Sequence, residues 1–155
     1  MPIVQAQAEV PVPAATAFAV SQTTGAARLR WDPFIRRQWF LDGAPEPGKG
    51  VRTATVHRSG LRMVSEYVSY APPRNVGMRM VTGPWFFEML AGGWRFEDMG
   101  EGRTLATWKY SFRCRPRWLA PVAERVGAWV LGRDVRRRLA GFAAGCEDPQ
   151  VLDAL

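Results

Sequence analysis

The sequence is poor in the residues that most often announce chemistry, with two cysteines, Cys114 and Cys146, and one histidine, His57. The cysteines lie far apart, without a CxxC pair or a histidine at ligand spacing, so neither a disulfide framework nor a zinc site is indicated. Both read as small buried hydrophobes. No run reaches the about 18 apolar residues needed to cross a bilayer, and the opening MPIVQAQAEV lacks a basic n-region and an apolar h-region. The chain is therefore expected to be cytoplasmic. HExxH, P-loop, GxGxxG and nucleophile-elbow motifs are all missing, which leaves metalloprotease, nucleotide-binding and standard hydrolase readings unsupported. Nothing calls for a metal or a cofactor, and there are no repeats, linkers or low-complexity tails.

What is present is a globular composition. Of 155 residues 47% are hydrophobic and 23% charged, which fits one domain over residues 1–155 around one core. Twenty-one Lys and Arg against fourteen Asp and Glu leave +7, a weak attraction for polyanions that does not say where the charge sits.

Hydrophobic periodicity divides the chain. Val4, Ala6, Ala8 and Val10 alternate with polar residues, predicting a strand over 3–10 that stops at Pro11 and Pro13. A short helix follows from Ala14 to Gln22, then, after the break at Thr24-Gly25, a second to about Leu29. Strands are predicted over 34–41, 50–58, 61–70, 76–82, 86–97 and 104–113, and the short Gly- and Pro-containing spacers between the later ones imply antiparallel hairpins. After Arg115-Pro116 the period becomes helical: Leu119, Val122, Val126, Trp129 and Val130 form one stripe, and Leu131, Val135, Leu139 and Phe142 a rotated one. A kink or break is expected at Gly132, where the stripe shifts. The result is an α+β domain in which a curved antiparallel sheet covers a long C-terminal helix.

That order, taken with Pro13-Ala14-Ala15, Trp31-Asp32-Pro33, Ala71-Pro72-Pro73-Arg74, Thr82-Gly83-Pro84, Gly92-x-Trp94-x-Phe96 and Gly102-x-Thr104 before Trp108, resembles the START-like SRPBCC superfamily. More narrowly it is similar to the polyketide cyclase/dehydrase branch, from Ile3 to about Glu147. The resemblance implies a helix-grip fold: a seven-stranded sheet wrapped around the C-terminal helix, with a cavity between them for hydrophobic molecules. It does not imply one function, because relatives include aromatase/cyclases, quinone-binding and lipid-transfer proteins and hormone receptors.

Strand parity then nominates a lining. With Trp108 and Tyr110 inward, the preceding strand presents Phe86, Glu88, Leu90, Gly92, Trp94 and Phe96. Val76, Met78 and Met80 face the cavity from the next strand, and Met63, Ser65, Tyr67 and Ser69 from the one before; Trp39, Val126, Trp129 and Val130 complete the set. Plain core packing explains many of these side chains, while a pocket for planar or fatty ligands has the same apolar and aromatic character. Gly92 and Gly93 leave room for a ligand or mark a bulge. Glu88, if inward, is the candidate acid or polar anchor, because desolvation would raise its pKa; the opposing reading is a bulge that turns it to solvent. Tyr67 and Tyr110 are the other candidate catalytic groups. His57 reads as an edge or surface residue, with no orienting partner visible. Trp31, Trp94 and Tyr67 match aromatics that the resemblance places in an aromatase pocket, but Ala71 stands where that pattern has arginine, and Arg62 and Arg79 have outward parity.

Eight arginines between Arg113 and Arg138 face only Glu124 and Asp134, and Arg136-Arg137-Arg138 are consecutive. Consecutive helical residues fan over about 200°, so they make no flat phosphate-reading face. A solvated polar face is the first reading, and docking to an anionic membrane or an acidic carrier protein the second. Nucleic acid is not expected, since no binding motif or stacking platform accompanies the charge. Three functions stay open: a binder of a lipid, quinone or polyketide-like molecule, a polyketide cyclase/dehydrase, and an interaction module with a filled core.

Overall fold

The computed structural model describes Met1 to Leu155. The alternating segments become β1 (Ile3–Val10), β2 (Ile35–Phe40), β3 (Arg52–His57), β4 (Arg62–Ala71), β5 (Asn75–Thr82), β6 (Phe87–Gly100) and β7 (Arg103–Cys114). They form one antiparallel sheet in the order β1-β7-β6-β5-β4-β3-β2. Each consecutive pair from β2 to β7 is a neighbour, as short spacers require. Strands β1 and β2 therefore lie at opposite edges. Helices α1 (Ala14–Ser21) and α2 (Gly25–Trp31) carry the chain from one edge to the other and close one end of the curled sheet.

Helix α3 (Ala120–Gly145) runs through the concave face, and a short α4 (Pro149–Leu152), not foreseen, follows with Asp148 capping the Gln150 N–H at 3.0 Å. Contrary to expectation α3 is unbroken at Gly132. The glycine serves packing instead: a Cβ there would meet Val4 Cγ1 of β1 at 3.3 Å. At Gly141 a Cβ would run into the Trp31 carbonyl, so this position lets α3 lie directly on the end of α2. Beyond Gly132 the helix buries Val135, Leu139 and Phe142, the last packed against Trp94, Phe96 and Trp31, with Phe142 and Trp94 ring centroids 4.7 Å apart.

Bulges decide which way several side chains point. On β7 the parity is as expected, with Ala106, Trp108, Tyr110 and Phe112 all inward and buried. On β6 the pairing with β7 slips between Phe87 and Met89, so Phe87 and Leu90 are buried and Glu88 is exposed. No irregularity occurs at Gly92-Gly93. A slip in β2 between Ile35 and Arg37 sends Trp39 outward, 45% exposed, beneath the Arg37 guanidinium. A third, between Tyr67 and Ser69, turns Ser69 out and Tyr70 in.

Candidate functional site

The first half of α3 touches the sheet at Phe112 of β7 but stands away from the other strands beneath it. Between it and strands β3, β4, β6 and β7 lies a cavity of about 640 Å³, well inside the range of about 300–1,000 Å³ usual for small-molecule sites. Its walls are mostly apolar: Phe34, Met63, Phe86, Phe87 and Leu90 on the sheet side, Ala123, Val126 and Val130 on the helix. Val126 and Val130 are 58% and 43% exposed because they overhang an open mouth, so this apolar stripe has no protein opposite it. The Phe112 ring lies under Gly127, where a Cβ would meet it at 2.9 Å, and sets how closely α3 approaches β7.

Deeper in, a second space of about 50 Å³ adjoins the first, sharing Phe34, Thr55, Met63, Leu90 and Tyr110 as walls. Tyr67, Met78, Met80, Trp94 and Trp108 line it from the sheet, as sequence parity expects. Gly92 faces it too, but its missing side chain is replaced by the Tyr110 and Trp108 rings, which a Cβ would meet at 2.9 and 3.0 Å. Burial pushes the Tyr67 and Tyr110 hydroxyls up to about 12, so both stay protonated donors at neutral pH. Tyr67 donates to Gln22 Oε1 at 3.3 Å. The Trp108 Nε1–H is the one buried side-chain polar atom with no hydrogen-bond partner.

Sequence reasoning missed the ionic group at this inner end. Arg28 of α2, Asp32 just after it and Arg138 of α3 are all buried. Asp32 Oδ2 accepts from Arg28 Nε at 2.7 Å and from Arg138 Nε and Nη2 at 3.2 and 2.9 Å, while Oδ1 accepts the Phe34 N–H at 3.0 Å. Arg28 Nη1 also donates to the Ser21 and Thr23 carbonyls at 2.8 and 3.2 Å. Arg138 lies between the rings of Trp108 and Phe34, its Cζ 4.5 and 4.9 Å from their centroids. Burial alone would raise the Asp32 carboxyl, but the Arg138 and Arg28 guanidinium groups outweigh it and hold the group below the usual carboxylate range. Burial draws Arg28 down more than Asp32 restores it, whereas for Arg138 the pull of Asp32 and Tyr110 exceeds the burial penalty. Helix phase was the available signal: Arg138 falls in the stripe of Leu131, Val135 and Phe142, so it cannot share a solvated face with Arg136 and Arg137.

At the mouth His57 of β3 meets Asp134 of α3, Nε2 to Oδ2 at 3.1 Å, and lies edge-on to Phe34 with centroids 4.4 Å apart. The Ser59 N–H donates to Nδ1 at 3.0 Å, which makes Nδ1 the acceptor and leaves the Nε2–H to bind Asp134. His57 is thus no free edge residue but a half-buried strap from sheet to helix, with a partner 77 positions away. The Ser59 hydroxyl lies 2.7 Å from the same Nδ1.

Five nominated residues lie outside the cavity: Ser69 is turned out by the β4 slip, Phe96 is buried in the core against Phe142, and Glu88, Trp39 and Trp129 are on the surface. Glu88 is the bulged residue of β6 and sits on the outer surface in a groove with Arg113, Arg117 and Glu124, so its carboxylate is solvated and cannot be an internal acid. Trp39 faces solvent because of the β2 bulge, and Trp129, 65% exposed, projects from α3 with Arg133 over its ring. Arg79 points out to Glu66 at 3.1 Å, and the buried arginines come from α2 and α3 rather than from β4. No cluster of three or more His, Cys, Asp or Glu side chains gathers to hold a metal. No helix is long and apolar enough to cross a membrane.

The geometry agrees with known proteins. A START superfamily protein from Mycobacterium smegmatis superposes with a TM-score of 0.75 at 15% identity, over 94% of this chain and 97% of that one. The Zhui aromatase/cyclase from Streptomyces sp. R1128 gives 0.75 at 20% identity, over 94% and 93%. No curated protein sequence matches. These likenesses establish the helix-grip fold, and a family model matches residues 1–147. The chain belongs to the polyketide cyclase/dehydrase and lipid transport family.

Proposed function

We propose that the protein binds a hydrophobic small molecule, of lipid, quinone or polyketide-like character, in the space between the sheet and α3. The observation that supports this most is the open cavity of about 640 Å³ with apolar walls, which a protein with a filled core would not keep. The tail of the ligand lies against Phe86, Phe87, Leu90, Val126 and Val130, and its more polar end reaches Tyr67, Tyr110 and Trp108. Delivery to or from an anionic membrane is the accompanying proposal: Trp85, Trp118 and Trp129 are 70%, 81% and 65% exposed beside the mouth, among basic residues that include Arg117, Arg125 and Arg133.

A second reading, cyclase or dehydrase chemistry on a carrier-bound chain, is favoured by two protonated tyrosines and two arginines at one end of the cavity. Tyr67 and Tyr110 would then orient a keto group and donate protons, without Glu88.

Nile red, a neutral apolar dye, tests the cavity. It is expected to bind with blue-shifted emission, and Ala123→Trp, which fills the space from α3, is expected to weaken binding at least about tenfold while the fold is kept. Equal binding by a folded Ala123→Trp variant would show that the dye sits elsewhere and remove the cavity's role.

A further inference from the structure

Arg28, Arg138 and Asp32 leave one positive charge in excess at the inner end of the cavity, where all three are buried. The nearest other acid on α3, Asp134, is taken by His57 at the mouth, and Glu66 is taken by Arg79 and Arg52 outside. A surplus charge out of water is costly unless something of opposite sign meets it. Arg28 and Arg138 both line the space at this end, with the Trp108 ring against Arg138 and Tyr67 and Tyr110 beside them.

A carboxylate brings the single negative charge that offsets the surplus at this end of the cavity. A phosphate monoester brings about −1.5 to −2, more than the single surplus charge. An alcohol or ketone fits but leaves the charge unmet.

We propose that this inner chamber is a carboxylate receptor, so that the ligand is an apolar monocarboxylate held head-first against Arg138 with its tail in the larger cavity. The proposal rests on the cavity reading above and adds the chemistry of the headgroup. A carboxylate–guanidinium contact is charge-assisted and stronger than the bond a hydroxyl makes to the same group.

The test compares dodecanoic acid with dodecanol and methyl dodecanoate as competitors of Nile red at pH 7.4, below micelle-forming concentrations. Wild-type protein is expected to take the acid about 10–100-fold more tightly than either neutral analogue. Arg138→Gln, which leaves Arg28 and Asp32 as a neutral pair, is expected to bring the acid-to-alcohol ratio close to one. Arg28→Gln provides the same reading should Arg138→Gln fail to fold, and the wild-type comparison needs no variant. An acid bound no better than the alcohol overturns the headgroup assignment while the cavity stands. A preference that persists in a folded Arg138→Gln protein also overturns it. Failure of the dye and all three competitors to bind removes the cavity reading and the receptor together.

Discussion

Replacing Asp32 by asparagine keeps the shape of the side chain and removes the charge that lies between two buried guanidinium groups. In the native protein Asp32 is fully buried and accepts four hydrogen bonds, three of them from Arg28 and Arg138. Without the carboxylate those arginines repel each other out of water. Breaking a buried ion pair in this way costs about 3–5 kcal/mol, against a total stability of about 5–15 kcal/mol. For a chain of this size that converts to a fall in Tm of about 6–20 °C, to be read by far-UV circular dichroism at pH 7. Adding Arg138→Met to Asp32→Asn removes one of the opposed charges and is expected to restore part of the loss, a non-additivity that simple loss of packing does not produce. The pH dependence has a defined sign. Because the Asp32 carboxyl titrates below its unfolded value of about 3.9, its contribution is complete above about pH 4 and disappears as pH falls through the depressed native value. The Tm values of wild type and Asp32→Asn should therefore stay apart from pH 5 to 8 and converge only in strong acid. An Asp32→Asn protein that melts within 2 °C of wild type at pH 7 would refute the ionic account of this cluster.

Other expectations follow from packing and burial. Gly141→Ala places a methyl group against the Trp31 carbonyl and is expected to destabilise by about 1–3 kcal/mol, measured by urea unfolding; an unchanged midpoint would mean that α3 does not lie directly on α2. Phe112→Ala removes a fully buried ring between β7 and α3 and should cost about 3–5 kcal/mol on the same measurement. Burial pushes the Cys146 thiol up to about 12, so it should resist an aromatic disulfide reagent at pH 8 in the native protein and react promptly in denaturant. Rapid reaction of native Cys146 would contradict its burial at the C-terminal end of α3.

Most of the architecture is legible in the chain because it follows from local periodicity. Ala106, Trp108, Tyr110 and Phe112 alternate without interruption and fix one face of β7, and the spacers at Ser59-Gly60 and Gly83-Pro84 force hairpins. What periodicity cannot locate is a bulge next to several apolar residues in a row: Trp85-Phe86-Phe87 reads equally well in either register, and the slip just beyond it reverses Glu88. Trp39 fails for the same reason, one slip at Arg36. The stripe of Val122, Val126 and Val130 is correctly apolar, but an apolar stripe does not say whether protein or ligand covers it. The buried charge is the instructive miss. A run of three arginines suggests solvent, and only the helix phase, with Val135 three residues before Arg138 and Phe142 four after, separates it from its neighbours. Its partner Asp32 lies 106 positions away, a separation that no local pattern reports.

The central claim is that the cavity beneath α3 holds an apolar molecule. Native mass spectrometry of freshly purified protein, followed by solvent extraction and identification of whatever is bound, tests it most directly. The account predicts a reproducible adduct of small-molecule mass that is apolar and lost on denaturation. A clean apo mass, with no thermal shift from fatty acids, quinones or aromatic polyketides, would contradict it and leave a surface-based role for the basic, tryptophan-flanked end of the molecule.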